Sequence, residues 1–158
     1  MNDYRIAGLV LAGLIAVGAS HPARSGAPDI YPPPEQAPAD LTAALKAAAA
    51  QHRRVILDFG GNWCTDCHVL DIYMHASANQ RILDSSFVVV HINIGEKEER
   101  NLDLAARYEI PLNKGVPALA ILDPHGKLLY SQKAGEFEAM RRMASKSVTE
   151  FLMRWKSG

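Results

Sequence analysis

The residues best suited to chemistry are Cys64 and Cys67, the two cysteines of the 158-residue chain, in the run Trp63-Cys64-Thr65-Asp66-Cys67. They follow a short apolar run broken by Gly60-Gly61-Asn62, and a helical pattern begins at about Cys64. Free amide N–H groups at a helix N-terminus stabilise a thiolate, which lowers the pKa of the first cysteine. Such a thiolate attacks a disulfide, and a second thiol one turn later resolves the mixed disulfide. Thr65 and Asp66 lie inside the turn and are placed to tune the pair; the Asp66 charge opposes a very low thiolate pKa and favours a reducing couple. Closing so small a loop removes little unfolded-chain entropy, which disfavours a purely structural disulfide. Two other chemistries use the same letters. Cys64, Cys67, His68 and His75 have metal-ligand side chains without a standard spacing. Cys64-Thr65-Asp66-Cys67-His68 also matches the attachment motif of c-type haem, with His68 as one axial ligand and Met140 as a candidate for the other.

The elements around the pair favour the redox reading, which needs neither metal nor cofactor. Val55-Ile56-Leu57-Asp58-Phe59 is an almost wholly apolar run, as expected of a strand buried on both faces. Phe87–Ile94 and Ala118–Leu122 are further core strands. Asp123-Pro124-His125-Gly126 is a turn from which Lys127–Gln132 returns antiparallel. Between these, the pattern predicts a leading helix capped by Asp40 and ending near His52. A helix from Cys64 should turn Val69, Leu70, Ile72 and Tyr73 inward, and shorter helices are expected at Ala78–Leu83 and Glu98–Tyr108. Phe137, Met140, Ala144, Val148, Phe151 and Trp155 recur at helical spacing. This is an α/β layout around a small mixed sheet. Its first βαβ unit sets Cys64 at the C-terminal edge of a strand, where open α/β sheets place their sites.

Composition narrows the classes. Seventeen basic and seventeen acidic residues leave no net charge, so nucleic-acid binding has no electrostatic support. With 48% hydrophobic residues the chain can bury a core, which excludes disorder throughout. The apolar run from Ile6 to Ala19 would rise about 21 Å as a helix, short of the roughly 30 Å hydrocarbon core. It is expected to be a signal peptide, with Val17-Gly18-Ala19 or Ser25-Gly26-Ala27 at its cleavage point, or else an uncleaved membrane tether. Residues 20–38 are rich in proline and alanine and are expected to be an extended linker. Residues 39–158 then form one domain, expected to be monomeric and periplasmic or secreted.

The residues from about Asp40 to Lys156 resemble the thioredoxin family, most closely its bacterial members in thiol–disulfide interchange outside the cytoplasm. Asp58-Phe59 precedes the first cysteine by six positions, Trp63 precedes it directly, Gly115-Val116-Pro117-Ala118 enters the third strand, and Ala134-Gly135 follows the last. The resemblance implies a thioredoxin fold, a central mixed β-sheet flanked by helices. Cys64 would be the nucleophile, Cys67 the resolving thiol, and together they would form the redox-active disulfide. Asp58 would be the buried carboxylate that takes the Cys67 proton. Trp63, Val116 and a cis Pro117 would contact substrate, Val116 by pairing its backbone with an extended chain. His91 stands where the family commonly carries a lysine; it either shares the proton with Asp58 or is an ordinary strand histidine. There are departures too: Asp66 replaces a proline, Gly60-Gly61 and Asn62 replace bulkier residues, and the loop from Ile110 to Gly115 is longer. The implied activity is thiol–disulfide exchange with protein thiols and disulfides and an unidentified redox partner, as a reductant or electron relay. An oxidase or isomerase, or a non-catalytic binding module on the same fold, remain alternatives.

Overall fold

The computed structural model describes residues 29–156. The expected signal or tether, the first part of the expected linker and the last two residues lie outside them. Among the described residues, no helix is long and apolar enough to cross a membrane.

β1 (Arg54–Gly60) runs through the interior of a four-stranded sheet of order β2-β1-β3-β4. Val55, Ile56 and Leu57 are fully buried, so both faces of this strand must be apolar, and its composition follows. β2 (Phe87–Asn93) pairs parallel to β1 with Asp58 opposite His91. β3 (Ala118–Leu122) runs antiparallel to β1, and β4 (Leu128–Ser131) antiparallel to β3. Asp123 closes the β3–β4 turn by accepting from the amides of His125 and Lys127, and Gly126 supplies the positive φ the turn requires.

α1 (Ala37–Gln51) covers one face, packing Leu41, Ala44 and Ala48 with Leu57, Phe59, Val90 and Ile92. The other face is covered by α2 (Thr65–Met74), α3 (Ser77–Ser86) and α5 (Ser145–Trp155). There Leu70, Met74, Leu83, Val148 and Leu152 cluster with Ile56, Leu119 and Ile121. The parallel β1–β2 pair requires a crossover, and α2 with α3 supplies it. That connection hangs α2 from the end of β1 and puts the cysteines there.

Four local expectations are corrected. Asp40 does not cap α1; the helix begins at Ala37, led in by a 3₁₀ turn at Pro34–Gln36. Prolines fit a first helical turn, where an amide would lack a partner anyway. The charged helix shrinks to α4 (Leu102–Arg107), because Glu98 and Asn101 take left-handed backbone conformations. The C-terminal pattern splits into a 3₁₀ turn, Met140–Arg142, and α5, although Phe137 and Met140 are buried in the same cluster. Ile72 is 65% exposed: two positions beyond Leu70 on a helix, it lies on the far side.

Candidate active site

Cys64 is the N-cap of α2, in extended conformation, and its sulfur is joined to Cys67 in a disulfide with Cα atoms 5.3 Å apart. The Cys67 amide donates to Cys64 Sγ at 3.1 Å. That is one of the amides a helix start leaves without a backbone acceptor, and it points at the atom that would carry the negative charge in the reduced form. Cys64 is the slightly more accessible sulfur residue, at 6% exposure against 1% for Cys67. Geometry therefore distinguishes an outer, amide-facing sulfur from an inner one.

Opposite the disulfide, the Val116–Pro117 peptide is cis, and Val116 O lies 3.6 Å from Cys64 Sγ. Gly115, with φ +93°, carries the loop into this turn. Trp63 is 43% exposed beside the cysteines, its indole N–H bonded to Gly95 O at 2.9 Å. Cys64 thus contacts the residue of the cis turn, Val116, while Trp63 precedes Cys64 in the chain and is partly exposed. Thr65 is exposed at the first position of α2.

Behind Cys67 lies a buried polar cluster. Asp58, 1% exposed, accepts at Oδ2 from the Tyr31 hydroxyl at 2.8 Å and lies 3.0 Å from His91 Nδ1. Oδ1 has no hydrogen-bond partner among the described residues. Burial, followed by the charge and hydrogen bond of Asp58, holds the Tyr31 phenol well above its ordinary pKa, so it stays a donor. For His91, burial opposes the charged form, but the hydrogen bond and charge of Asp58 outweigh it and raise the pKa. Tyr31 also meets the His91 ring edge to face, with centroids 5.2 Å apart.

Tyr31 was not foreseen as a site residue, because it lies in the stretch expected to be a free linker. From Ile30 that stretch is docked on the domain, and Tyr31 is 2% exposed. Asn62 accepts from the amides of Ile30 and Tyr31 and donates to Tyr31 O, each at 2.9 Å. Asn93 holds Pro32 O and Asn101 holds Pro34 O, also at 2.9 Å. Gly60 makes the room: a Cβ there would stand 2.5 Å from Tyr31 Oη and 2.7 Å from Cys67 Sγ. The unusual Gly60 and Asn62, together with the apolar pair Ile30-Tyr31 among prolines, were the available signals.

Asp66 faces the other way. Its carboxylate takes the Arg141 amide at 2.8 Å and Nε at 3.1 and 3.2 Å, with Arg141 Nη2 at 3.0 Å. Partial burial works against its ionisation, but the bonds and charge of Arg141 prevail and lower its pKa. The charge expected to oppose a thiolate is therefore matched by a cation. Arg141, 75 residues away, has no signal in the local sequence. The letters of the haem motif find other uses: both sulfurs are in the disulfide, and His68 Nε2 is 2.9 Å from Asn62 O. His75 ends α2, about 16 Å along the helix from Cys64.

A cysteine pair on an α2 start of this kind, facing a cis-proline on a mixed four-stranded sheet, defines a protein of thioredoxin fold with a disulfide-forming Cys-x-x-Cys pair. A thioredoxin-like family model matches residues 36–124, and the chain belongs to that family. The thiol:disulfide interchange protein DsbD of Pseudomonas fluorescens is 27% identical over 123 residues, 76% of this chain but 19% of that protein. DsbD 2 of Pseudomonas aeruginosa is 24% identical over 120 residues, again 76% of this chain and 19% of the relative. The chain therefore spans about a fifth of the length of these relatives. Among solved structures, a disulphide isomerase from Xylella fastidiosa Temecula1 superposes with TM-score 0.74 and 32% identity, over 79% of this chain and 95% of that one. A thioredoxin from Thermus thermophilus, at 22% identity and TM-score 0.51 over 78% of this chain and 83% of its own, shares the fold.

Proposed function

We propose that this protein exchanges its Cys64–Cys67 dithiol for disulfides of protein substrates outside the cytoplasm, as a reductant or electron relay. The observation that carries this is the Cys67 amide on Cys64 Sγ, at a helix start facing a cis-proline. Cys64 is the nucleophile. As a thiolate it attacks one substrate sulfur, the substrate S–S bond breaks, and the leaving substrate sulfur takes the electron pair. Cys67 then loses its proton to Asp58 and attacks Cys64 Sγ; the Cys64–Cys67 bond forms and the second substrate thiol departs. Two thiols are oxidised and one disulfide is reduced. His91 Nδ1 stands 3.0 Å from the other oxygen, Asp58 Oδ2, and its side chain is 22% exposed. Trp63 and Val116 border the substrate's extended chain, the latter beside Pro117.

A base behind the resolving thiol supports exchange through a mixed disulfide, whose formation and resolution it speeds in either direction. The likeness to DsbD and the apolar run at Ile6–Ala19 support a periplasmic or secreted place, tethered or released. The likeness to a protein named a disulphide isomerase supports the second reading, isomerase or oxidase. Reduction of a protein disulfide such as those of insulin tests the proposal: Cys64→Ser should abolish it, and Cys67→Ser should trap mixed disulfides. Retained reduction by Cys64→Ser would sink it, and a strongly oxidising potential on redox titration would favour the second reading.

A further inference from the structure

We propose that Tyr31, brought by the arm that precedes the domain, is a positioning residue of the redox site: its hydroxyl fixes Asp58 Oδ2 beside His91 and leaves Oδ1 as the acceptor for the Cys67 proton. This deepens the reading of Asp58 as proton acceptor and rests on it.

The argument begins with the buried carboxylate. A buried acceptor oxygen without a partner is costly and persists only where something compensates. Among the described residues, Oδ1 of Asp58 is such an atom in the disulfide form, whereas Oδ2 has two partners, Tyr31 Oη and His91 Nδ1. On reduction a thiol hydrogen appears at Cys67, a donor that the disulfide lacks. Tyr31 Oη and Cys67 Sγ both close on the point where a Gly60 Cβ would stand, so the phenol, the inner sulfur and the carboxylate share one small volume. A carboxylate held at one oxygen by two partners cannot rotate freely, and its other oxygen keeps a fixed direction.

The arm is fastened for this purpose at the active-site loop itself. Asn62, two residues before Cys64, makes three hydrogen bonds to Ile30 and Tyr31. The other titratable groups facing the cluster are Cys67 and Asp71 from α2. Asp71 acts on both Tyr31 and His91. Asp40 lines the groove beside His91 on one side, and Arg53, His75 and Asp84 line that on the other. β3 presents apolar Leu119 opposite Asp58. Tyr31 is thus the neutral donor of the group, and its hydrogen bond stabilises the ionised carboxylate.

A two-phase titration of the reduced protein with dithiobis-nitrobenzoate reads the steps apart. Cys64 attacks first and releases one nitrothiobenzoate. Cys67 then gives its proton to Asp58, bonds to Cys64 Sγ and expels the second, which leaves with the electron pair. Tyr31→Phe keeps the ring and removes the donor. It should move the acid limb of the second phase to higher pH by about one unit, the scale of one hydrogen bond to a charge, and leave the first phase in place. Asn62→Ala, which frees the arm, should move the same limb in the same direction. An unmoved limb in Tyr31→Phe overturns the proposal, as does a shift in Tyr31→Leu alone, which would make the ring's packing the whole role. Asp58→Asn separates the two levels: if the limb survives it, the proton-acceptor reading itself fails. If Asp58→Asn removes the limb and Tyr31→Phe leaves it, only the role of Tyr31 fails.

Discussion

Two aspartates flank the same pair of sulfurs under opposite conditions. Asp58 is sealed on β1 beneath Tyr31 and His91, with one oxygen unpartnered among the described residues. Asp66 sits in the first turn of α2, its carboxylate wrapped by an arginine that is itself largely in solvent. Inside the protein a charge is costly, so a carboxylate whose neighbours can take up or supply a proton is suited to trading one. At the surface, a carboxylate paired with a cation is a fixed and screened charge. On the proposed mechanism, the same functional group is a proton carrier in one place and an electrostatic trim in the other.

Breaking that contrast is simplest at Asp58. Asp58→Asn should slow resolution of a mixed disulfide by about 100-fold, the low end of general acid–base contributions, while Asp66→Asn changes the same rate only a few-fold. Equal losses in the single-turnover rates would erase the distinction. Next in size is Gly60→Ala, which forces a methyl against Tyr31 Oη and Cys67 Sγ. Overpacking of this kind costs about 1–3 kcal/mol, to be read as a lowered denaturation midpoint. Gly61→Ala meets the indole of Trp63, which is partly exposed and can swing away, so its midpoint should fall less.

A smaller effect sharpens the buried side. His91 has a raised pKa in the folded state, burial being outweighed by Asp58. Its pairing therefore contributes stability that is fully present below the unfolded value of about 6.5 and is lost as pH rises through the folded value. The stability gap between wild type and His91→Gln, measured by urea denaturation, should be wider at pH 6 than at pH 9. A gap independent of pH would mean that His91 is held by packing alone.

What could be read in advance divides along the same line as the two aspartates. The strand Ala118–Leu122, the Asp123–Gly126 turn and the cysteine-bearing helix are visible because each is fixed by a local pattern: an apolar run, a turn signature, a cysteine spacing. Asp58 is legible for that reason too, as the one charge inside a buried run. The partners of both aspartates were not legible. Tyr31 sits among prolines that suggested an open spacer, and only a vacancy at Gly60, 29 positions on, makes its burial possible. Arg141 lies in a stretch whose apolar spacing promised continuous helix, and the break at Met143–Ala144 before α5 is what delivers its amide and guanidinium to Asp66. Long-range pairing of polar groups leaves no period in the sequence; hydrophobic burial does.

The smallest effect tests the exposed side. With Arg141 in place, the negative charge of Asp66 is offset, and the Cys64 thiolate is stabilised chiefly by the α2 amides. Arg141→Ala uncovers that charge beside the helix start, so the thiolate is destabilised, the disulfide is favoured and the reduction potential becomes more negative. Asp66→Asn leaves the guanidinium uncompensated and should move the potential the other way. A change of three- to fivefold in the exchange constant corresponds to about 15–20 mV, since tenfold is about 30 mV for a two-electron couple. Removing both groups should return the potential close to that of the wild type, because the pair is nearly neutral as a unit. Salt adds a second axis: the two single-variant shifts should shrink between low and physiological ionic strength, as expected for charges in contact with solvent. Shifts of equal sign in the two single variants, or shifts indifferent to salt, would show that the pair acts by holding the Met140–Arg142 turn against α2 and not by its charge.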